Sequence, residues 1–210
     1  MKIALIDGSP KVTNSTSSAL LGDLKEYLAE KTEIVNFGVH SSEISKEAIE
    51  ELAKTDAWVF AYPLYLDGIP GHLLACLIQL EEACINNPQI HIYGIANCGF
   101  YEGIQAELAL KLLQNWSLKA SFIWSGGIGV GGGGGLAMMP KLNPGHGPKA
   151  PIDKALADLS DVVMKGEVQE NNYVSVAFPR FLYKFGAQMG WRRMIKANGG
   201  KVKDLGKKPE

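Results

Sequence analysis

The chain has 210 residues, 46% of them hydrophobic and 20% charged, with a formal net charge of −1. That length suits one α/β core with an appendage and is short for two full domains. The near-zero net charge gives no global attraction to nucleic acid or to a membrane surface, and the longest apolar run is far too short to span a bilayer. Met1 and Lys2 lead directly into the short apolar stretch Ile3–Ile6, which reads as a strand and not as a signal-peptide core. Cys76, Cys84 and Cys98 are odd in number and lack C-x-x-C spacing, so neither a disulfide framework nor a metal-ligand set is indicated. A cytoplasmic protein with free thiols is the expectation.

In chain order, Lys2–Asp7 is a first strand, and Ser17–Lys31 a helix with Leu20, Leu21, Leu24 and Leu28 on one face. A strand over Thr32–Phe37 and a short helix over Lys46–Ala53 follow. The third strand, Ala57–Ala61, is apolar throughout, as a strand covered on both faces requires. Pro70–Ala83 is a helix opening on a proline, Gln89–Ala96 a strand, and Glu102–Trp116 a helix. Lys119–Ser125 is a fifth strand and Ile152–Lys165 a fifth helix. Strict alternation predicts an α/β fold, a doubly wound parallel sheet of five strands. Two segments stand outside the scheme: the Gly/Pro-rich connection Gly126–Ala150, and an extension over Asn171–Glu210, aromatic and then basic.

The exit of the first strand reads Gly8-Ser9-Pro10-Lys11-Val12-Thr13-Asn14-Ser15-Thr16-Ser17-Ser18. Six consecutive hydroxyl or amide residues lead into a helix N-terminus, whose free N–H groups and positive dipole end suit an anion. One helix cap needs only one such residue. The loop has no Gly-Lys-Ser/Thr and a single glycine, so triphosphate and dinucleotide sites are both disfavoured and a terminal phosphate is preferred.

This loop resembles the G-S-P-R-x-x-x-N-T phosphate loop of the NAD(P)H-dependent FMN reductase group of the flavodoxin-like superfamily, with Lys11 where Arg is usual. After the third strand, Tyr62-Pro63-Leu64-Tyr65-Leu66-Asp67-Gly68-Ile69-Pro70-Gly71-His72-Leu73 is similar to the group's P-x-Y-x-x-x-x-P-x-x-L segment. After the fourth, Asn97-Cys98-Gly99-Phe100-Tyr101-Glu102-Gly103 is similar to its third, Gly-containing loop. The resemblance covers about the first 125 residues. It implies a flavodoxin-like fold with strand order 2-1-3-4-5, an FMN-binding domain over 1–170 and a C-terminal extension over 171–210. It also implies FMN as cofactor and NAD(P)H as co-substrate. Ser9, Lys11, Asn14, Ser15, Thr16 and Ser17 would take the phosphate. Pro63, Leu64, Tyr65, Leu66 and Asp67 would line one side of the ring, with Tyr65 stacked on it, and Asn97, Cys98 and Gly99 the other. Loops after strands one, three and four converge at the carboxyl edge of such a sheet, where open α/β sheets bind ligands. Cys98 is read as a small buried residue first and a tuner of the flavin second.

Electron chemistry would lie with the cofactor, so no side chain is assigned as acid or base. Electrons would pass to a small-molecule acceptor from a homodimer, with no nucleic acid, membrane or metal. A non-catalytic carrier is the main alternative, disfavoured by near-neutral charge. An iron–sulfur flavoprotein lacks its cysteine cluster here, and a flavin-binding protein without turnover stays open. The run Gly126–Gly135 reads either as a turning connection or as backbone closely approaching a ligand. Lys and Arg residues of the extension suit a solvated tail first, and a 2′-phosphate or RNA second. His40, His72, His91 and His146 show neither metal spacing nor triad partners.

Overall fold

The structure is a computed structural model that describes residues 1–28, 32–83, 85, 87–136 and 145–207. The ends of the expected helix at 29–31, Cys84, the stretch 137–144 of the glycine-rich connection and the last three residues lie outside the described residues. Two compact units result, Met1–Val176 and Ala177–Glu210.

The first unit alternates β1 (Lys2–Asp7), α1 (Thr16–Tyr27), β2 (Glu33–Gly38), α2 (Lys46–Leu52), β3 (Ala57–Pro63), α3 (Gly71–Glu82) and β4 (His91–Asn97). A 3₁₀ turn at Gly103–Ala106 then leads into α4 (Glu107–Lys119), followed by β5 (Ile123–Val130), α5 (Gly133–Leu136), α6 (Ala150–Lys165) and β6 (Asn172–Val174). All strands are parallel, in the order β2-β1-β3-β4-β5-β6. The flavodoxin-like α/β fold is therefore present, with a sixth strand where the sequence indicated five.

Helices α2, α3 and α4 cover one face of the sheet, and α1 and α6 pack together over the other. Trp58, fully buried in β3, stacks on Trp116 of α4 and meets Phe60 edge-on and Phe122 at a tilt. Its indole N–H donates to Thr55 Oγ1 at 2.7 Å, so the large aromatic enters the core without an unpaired donor. The Trp116 indole donates to the Leu77 carbonyl at 2.7 Å and fixes α4 beside α3.

Most boundaries shift by a few residues from the sequence reading, and the largest differences lie in α4, β5 and β6. Helix α4 begins five residues later and continues to Lys119, ending where Ser121 adopts φ +63°. Strand β5 runs on through Gly126, Gly127 and Gly129, so the connection expected from Gly126 begins as sheet. Glycine is a weak strand former, but here only glycine fits: a Cβ on Gly129 would lie 2.6 Å from the Gly103 carbonyl oxygen. The sixth strand is three residues long, too short to show an alternation. It pairs Ile128 to Val130 with Asn172 to Val174.

The second unit holds α7 (Arg180–Ala197), none of whose residues is buried. It ends where Gly199 takes φ +76° and the Gly200 N–H returns to the Ile195 carbonyl at 2.9 Å. No helix of the described residues is long and apolar enough to cross a membrane.

Candidate functional site

Parallel register brings the strand ends to one edge: Asp7 lies beside Gly38 and Ala61, Pro63 beside Asn97, and Asn97 beside Val130. Each departing loop is stitched to the next strand. Gly8 N–H donates to Ala61 at 2.8 Å, Leu64 N–H to Asn97 at 2.7 Å, and Cys98 N–H to Val130 at 2.9 Å. Loops from β1, β3, β4 and β5 thus leave side by side beyond the carboxyl ends, next to the point where strand order reverses.

The first loop is held from within. Ser15 caps α1, accepting the Ser18 N–H at 2.9 Å while its hydroxyl donates to Asp7 Oδ2 at 3.2 Å. Asp7 Oδ1 accepts the Ser9 N–H at 3.0 Å, and Ser9 Oγ accepts the Lys11 N–H at 3.2 Å. Thr16 Oγ1 donates to the Gly133 carbonyl at 3.0 Å. Ser9, Ser15 and Ser17 are buried, whereas Lys11 and Asn14 are exposed, Asn14 with φ +54°. The helix ladder of α1 begins with Ala19 N–H to the Ser15 carbonyl. Thr16 and Ser17 N–H therefore precede the ladder and lie at the positive end of a twelve-residue helix.

The predicted set thus divides. Lys11 and Asn14 are exposed and the N–H groups of Thr16 and Ser17 precede the helix ladder, whereas the hydroxyls of Ser9 and Ser15 shape the loop. Asp7 was read only as a strand end, yet its carboxylate organises two of the predicted residues. Burial pushes its pKa up, against the pull of the Ser9 N–H, the Ser15 hydroxyl and the imidazoles of His40 and His72. His40 Nδ1 lies 2.7 Å from the Ser9 carbonyl oxygen and braces the loop from the side of β2.

The second loop projects outward. Tyr65 and Gly68 exchange two backbone hydrogen bonds, 3.1 Å and 3.0 Å, around Leu66 at φ +49° and Asp67 at φ +60°. This two-residue turn normally uses Asn and Gly, because side chains resist the left-handed region. Leu66 is fully exposed, and Tyr65 remains 49% exposed. Pro63 and Leu64 are half-buried at the loop's root. Tyr62 points the other way, buried, its hydroxyl donating to the Ala109 carbonyl at 3.1 Å.

Asn97 joins the two sides. Its buried amide donates to Ser17 Oγ at 2.9 Å and to the Tyr62 carbonyl at 3.0 Å, tying the phosphate-type loop to the aromatic one. Cys98 is 3% exposed, near the Phe100 and Glu102 carbonyls, and burial raises its pKa, which keeps it a thiol. Gly99 and Phe100 are exposed. Phe100 is a second aromatic that the sequence reading quoted without assigning; an apolar ring directly after an Asn-Cys-Gly strand exit was its available signal.

The glycine run closes the edge. Gly132 N–H donates to Phe100 at 2.6 Å and Gly133 N–H to Cys98 at 2.8 Å. A Cβ on Gly131 would collide with the Tyr101 carbonyl oxygen. Close approach is thus the reason for Gly131 and Gly133, which meet the chain's own third loop, whereas Gly132 takes φ +80° against Val176.

No protein-family model matches the chain, and no curated protein matches it. Solved structures do. NAD(P)H:quinone oxidoreductase from Methanothermobacter marburgensis superposes with TM-score 0.56 at 16% identity, over 78% of this chain and 96% of that one. An NADPH-quinone reductase from P. pentosaceus gives 0.55 at 11%, over 78% and 97%. A short-chain flavodoxin associated with a PDU bacterial microcompartment gives 0.53 at 10%, over 79% and 98%. These likenesses define the class: the first unit has the flavodoxin-like fold, and its structural neighbours include both nicotinamide-dependent reductases and a flavodoxin.

Proposed function

We propose that the protein is an FMN-binding, NAD(P)H-dependent oxidoreductase that passes electrons to a small acceptor. One observation carries the reading: a positive helix end with an exposed lysine and asparagine stands beside an outward-facing tyrosine, and Asn97 welds the two together. The residues present fit the group. An anion-binding helix start suits the terminal phosphate, and the Tyr65 ring, half exposed on a rigid turn, suits the isoalloxazine face. Bound FMN would supply hydride acceptance from the nicotinamide and onward electron delivery.

The chain's own residues then bind, orient and exclude water. Lys11 and Asn14, with Thr16 and Ser17 N–H, hold the phosphate. Pro63, Leu64, Tyr65, Leu66 and Asp67 form one wall and Gly99 the opposite rim. Cys98 fills space beneath it as a neutral thiol. A cytoplasmic homodimer is the form we propose, and unit one offers a face for association, since Leu74, Ile78, Leu108 and Leu112 are exposed on neighbouring helices α3 and α4.

Protein saturated with FMN is to be mixed anaerobically with NADH or NADPH and the visible flavin band followed. Bleaching within seconds without a second protein supports the reductase. Flavin that binds but stays oxidised with both nucleotides sinks it and favours the carrier alternative.

A further inference from the structure

The net charge of −1 conceals a division. Residues 1–176 carry twelve Lys and Arg against twenty Asp and Glu, a formal −8, whereas residues 177–210 carry nine against two, a formal +7. Helix α7 contains Arg180, Lys184, Arg192, Arg193 and Lys196 and no acid. Its ridge at helical spacing reads Phe181, Phe185, Met189, Arg192, Lys196: apolar for the first half and cationic for the second. All five are exposed.

Helix α3 carries the opposite text. Its exposed ridge reads Leu74, Ile78, then Glu82, with the half-buried Glu81 beside it, paired with Lys119 of α4 at 2.7 Å, and α4 adds Leu108 and Leu112 next to the apolar end. The run from Leu74 to Glu82 and that from Phe185 to Arg193 both span eight residues, about 12 Å of helix. Both surfaces change from apolar to charged along the helix, over the same length and with opposite signs.

We propose that α7 of one copy docks on the α3–α4 face of a second copy, whose α7 docks in return on the first. The contact specifies the homodimer proposed above and is independent of the flavin reading. Phe185 and Met189 would cover Leu74, Ile78, Leu108 and Leu112, while Arg192 and Arg193 would meet Glu81 and Glu82. Such an exchange is reciprocal, as two-fold association requires. Two α7 helices facing each other would set cation against cation when parallel and cation against apolar ring when antiparallel. A bilayer surface favours a helix apolar along one whole side with cations flanking it, and α7 is divided end to end.

The test is a mixing experiment on the full chain by analytical ultracentrifugation. In E81R/E82R the acidic end of the face becomes basic; in R192E/R193E the basic end of α7 becomes acidic. Each variant alone carries two repulsive contacts and is expected to lose dimer affinity roughly tenfold or more. An equimolar mixture restores both contacts in a heterodimer, so dimer returns on mixing. Single variants that dimerise as tightly as the parent overturn the proposal, as does a mixture that stays monomeric. Circular dichroism of each variant confirms that it is folded before mixing. Should R192E/R193E keep its dimer and lose only co-sedimentation with phosphatidylglycerol vesicles, the occupant of α7 is lipid and the proposal is wrong. Flavin content does not enter the readout, so failure here leaves the oxidoreductase reading untouched.

Discussion

The two sides of the candidate site are built on opposite plans. The loop after β1 turns its hydroxyls inward, and Ser9, Ser15 and Ser17 are buried and hydrogen-bonded to Asp7, Lys11 and Asn97. The loop after β3 turns its side chains outward on a strained two-residue turn, with Tyr65 and Leu66 in solvent. A phosphate rewards fixed N–H groups that need no reordering when it arrives. A flat ring rewards an exposed surface that can close on it. Pre-organisation on one side and exposure on the other is what a ligand with a charged tail and an apolar head would select.

The comparison can be broken most severely where both plans share support. Gly131→Ala forces the β5 exit away from Tyr101 and is expected to cost about 3 kcal/mol by chemical denaturation, with loss of flavin binding. Asn97→Ala removes the side-chain amide that joins Ser17 to the Tyr62 carbonyl; leaving both without it costs about 2 kcal/mol. If FMN affinity survives that variant, the sides are not coupled through Asn97. Tyr65→Ala should weaken FMN about tenfold by fluorescence titration and leave the melting temperature unchanged, because the ring is half exposed already. Leu66→Gly acts in the other direction, relieving a left-handed leucine and adding about 1 kcal/mol of stability.

The smallest effect concerns Asp7. Its folded pKa is raised, so the folded state holds a proton that the unfolded chain releases at its ordinary value of 3.8. The carboxyl therefore favours folding at low pH, and that contribution is lost as pH rises from 3.8 through the raised value. A phosphate nearby pushes the pKa further up, so FMN binding weakens as pH rises from the raised value of the free protein to the still higher value of the complex. Asp7→Asn keeps the shape, removes the charge, and should flatten that pH dependence in an FMN titration run from acid to neutral pH.

Elements whose periodicity is clean were legible in the sequence: β1 and β3 as short apolar strands, α1 by its leucines, and the doubly wound parallel sheet by alternation, while the strand order 2-1-3-4-5 came from the family resemblance. Strand β5 was cut short because Gly126, Gly127 and Gly129 read as loop; their reasons are contacts distant in sequence, Gln169 against Gly126, Gly94 and Leu110 against Gly127, and Gly103 and Tyr173 against Gly129. Strand β6 has only three residues and exists through its pairing with β5. At the site, residue types pointed to loops that the fold brings to one edge of the sheet, but not to which way each side chain faces. Ser9 and Ser15 look like ligand donors in a string of hydroxyls, and only the folded loop shows the Ser9 hydroxyl taken by the Lys11 N–H and the Ser15 hydroxyl turned to Asp7. The acid itself was hidden because a strand-terminal Asp has no local signature.

The central claim is that the helix end at Thr16 recognises a phosphate. Parallel titrations of the purified protein with FMN and with riboflavin, identical but for that group, test it most directly. The account predicts FMN binding at least about 100-fold tighter, about 2.7 kcal/mol, with the difference shrinking in Lys11→Ala. Equal affinity for the two flavins, or binding of neither, would contradict it.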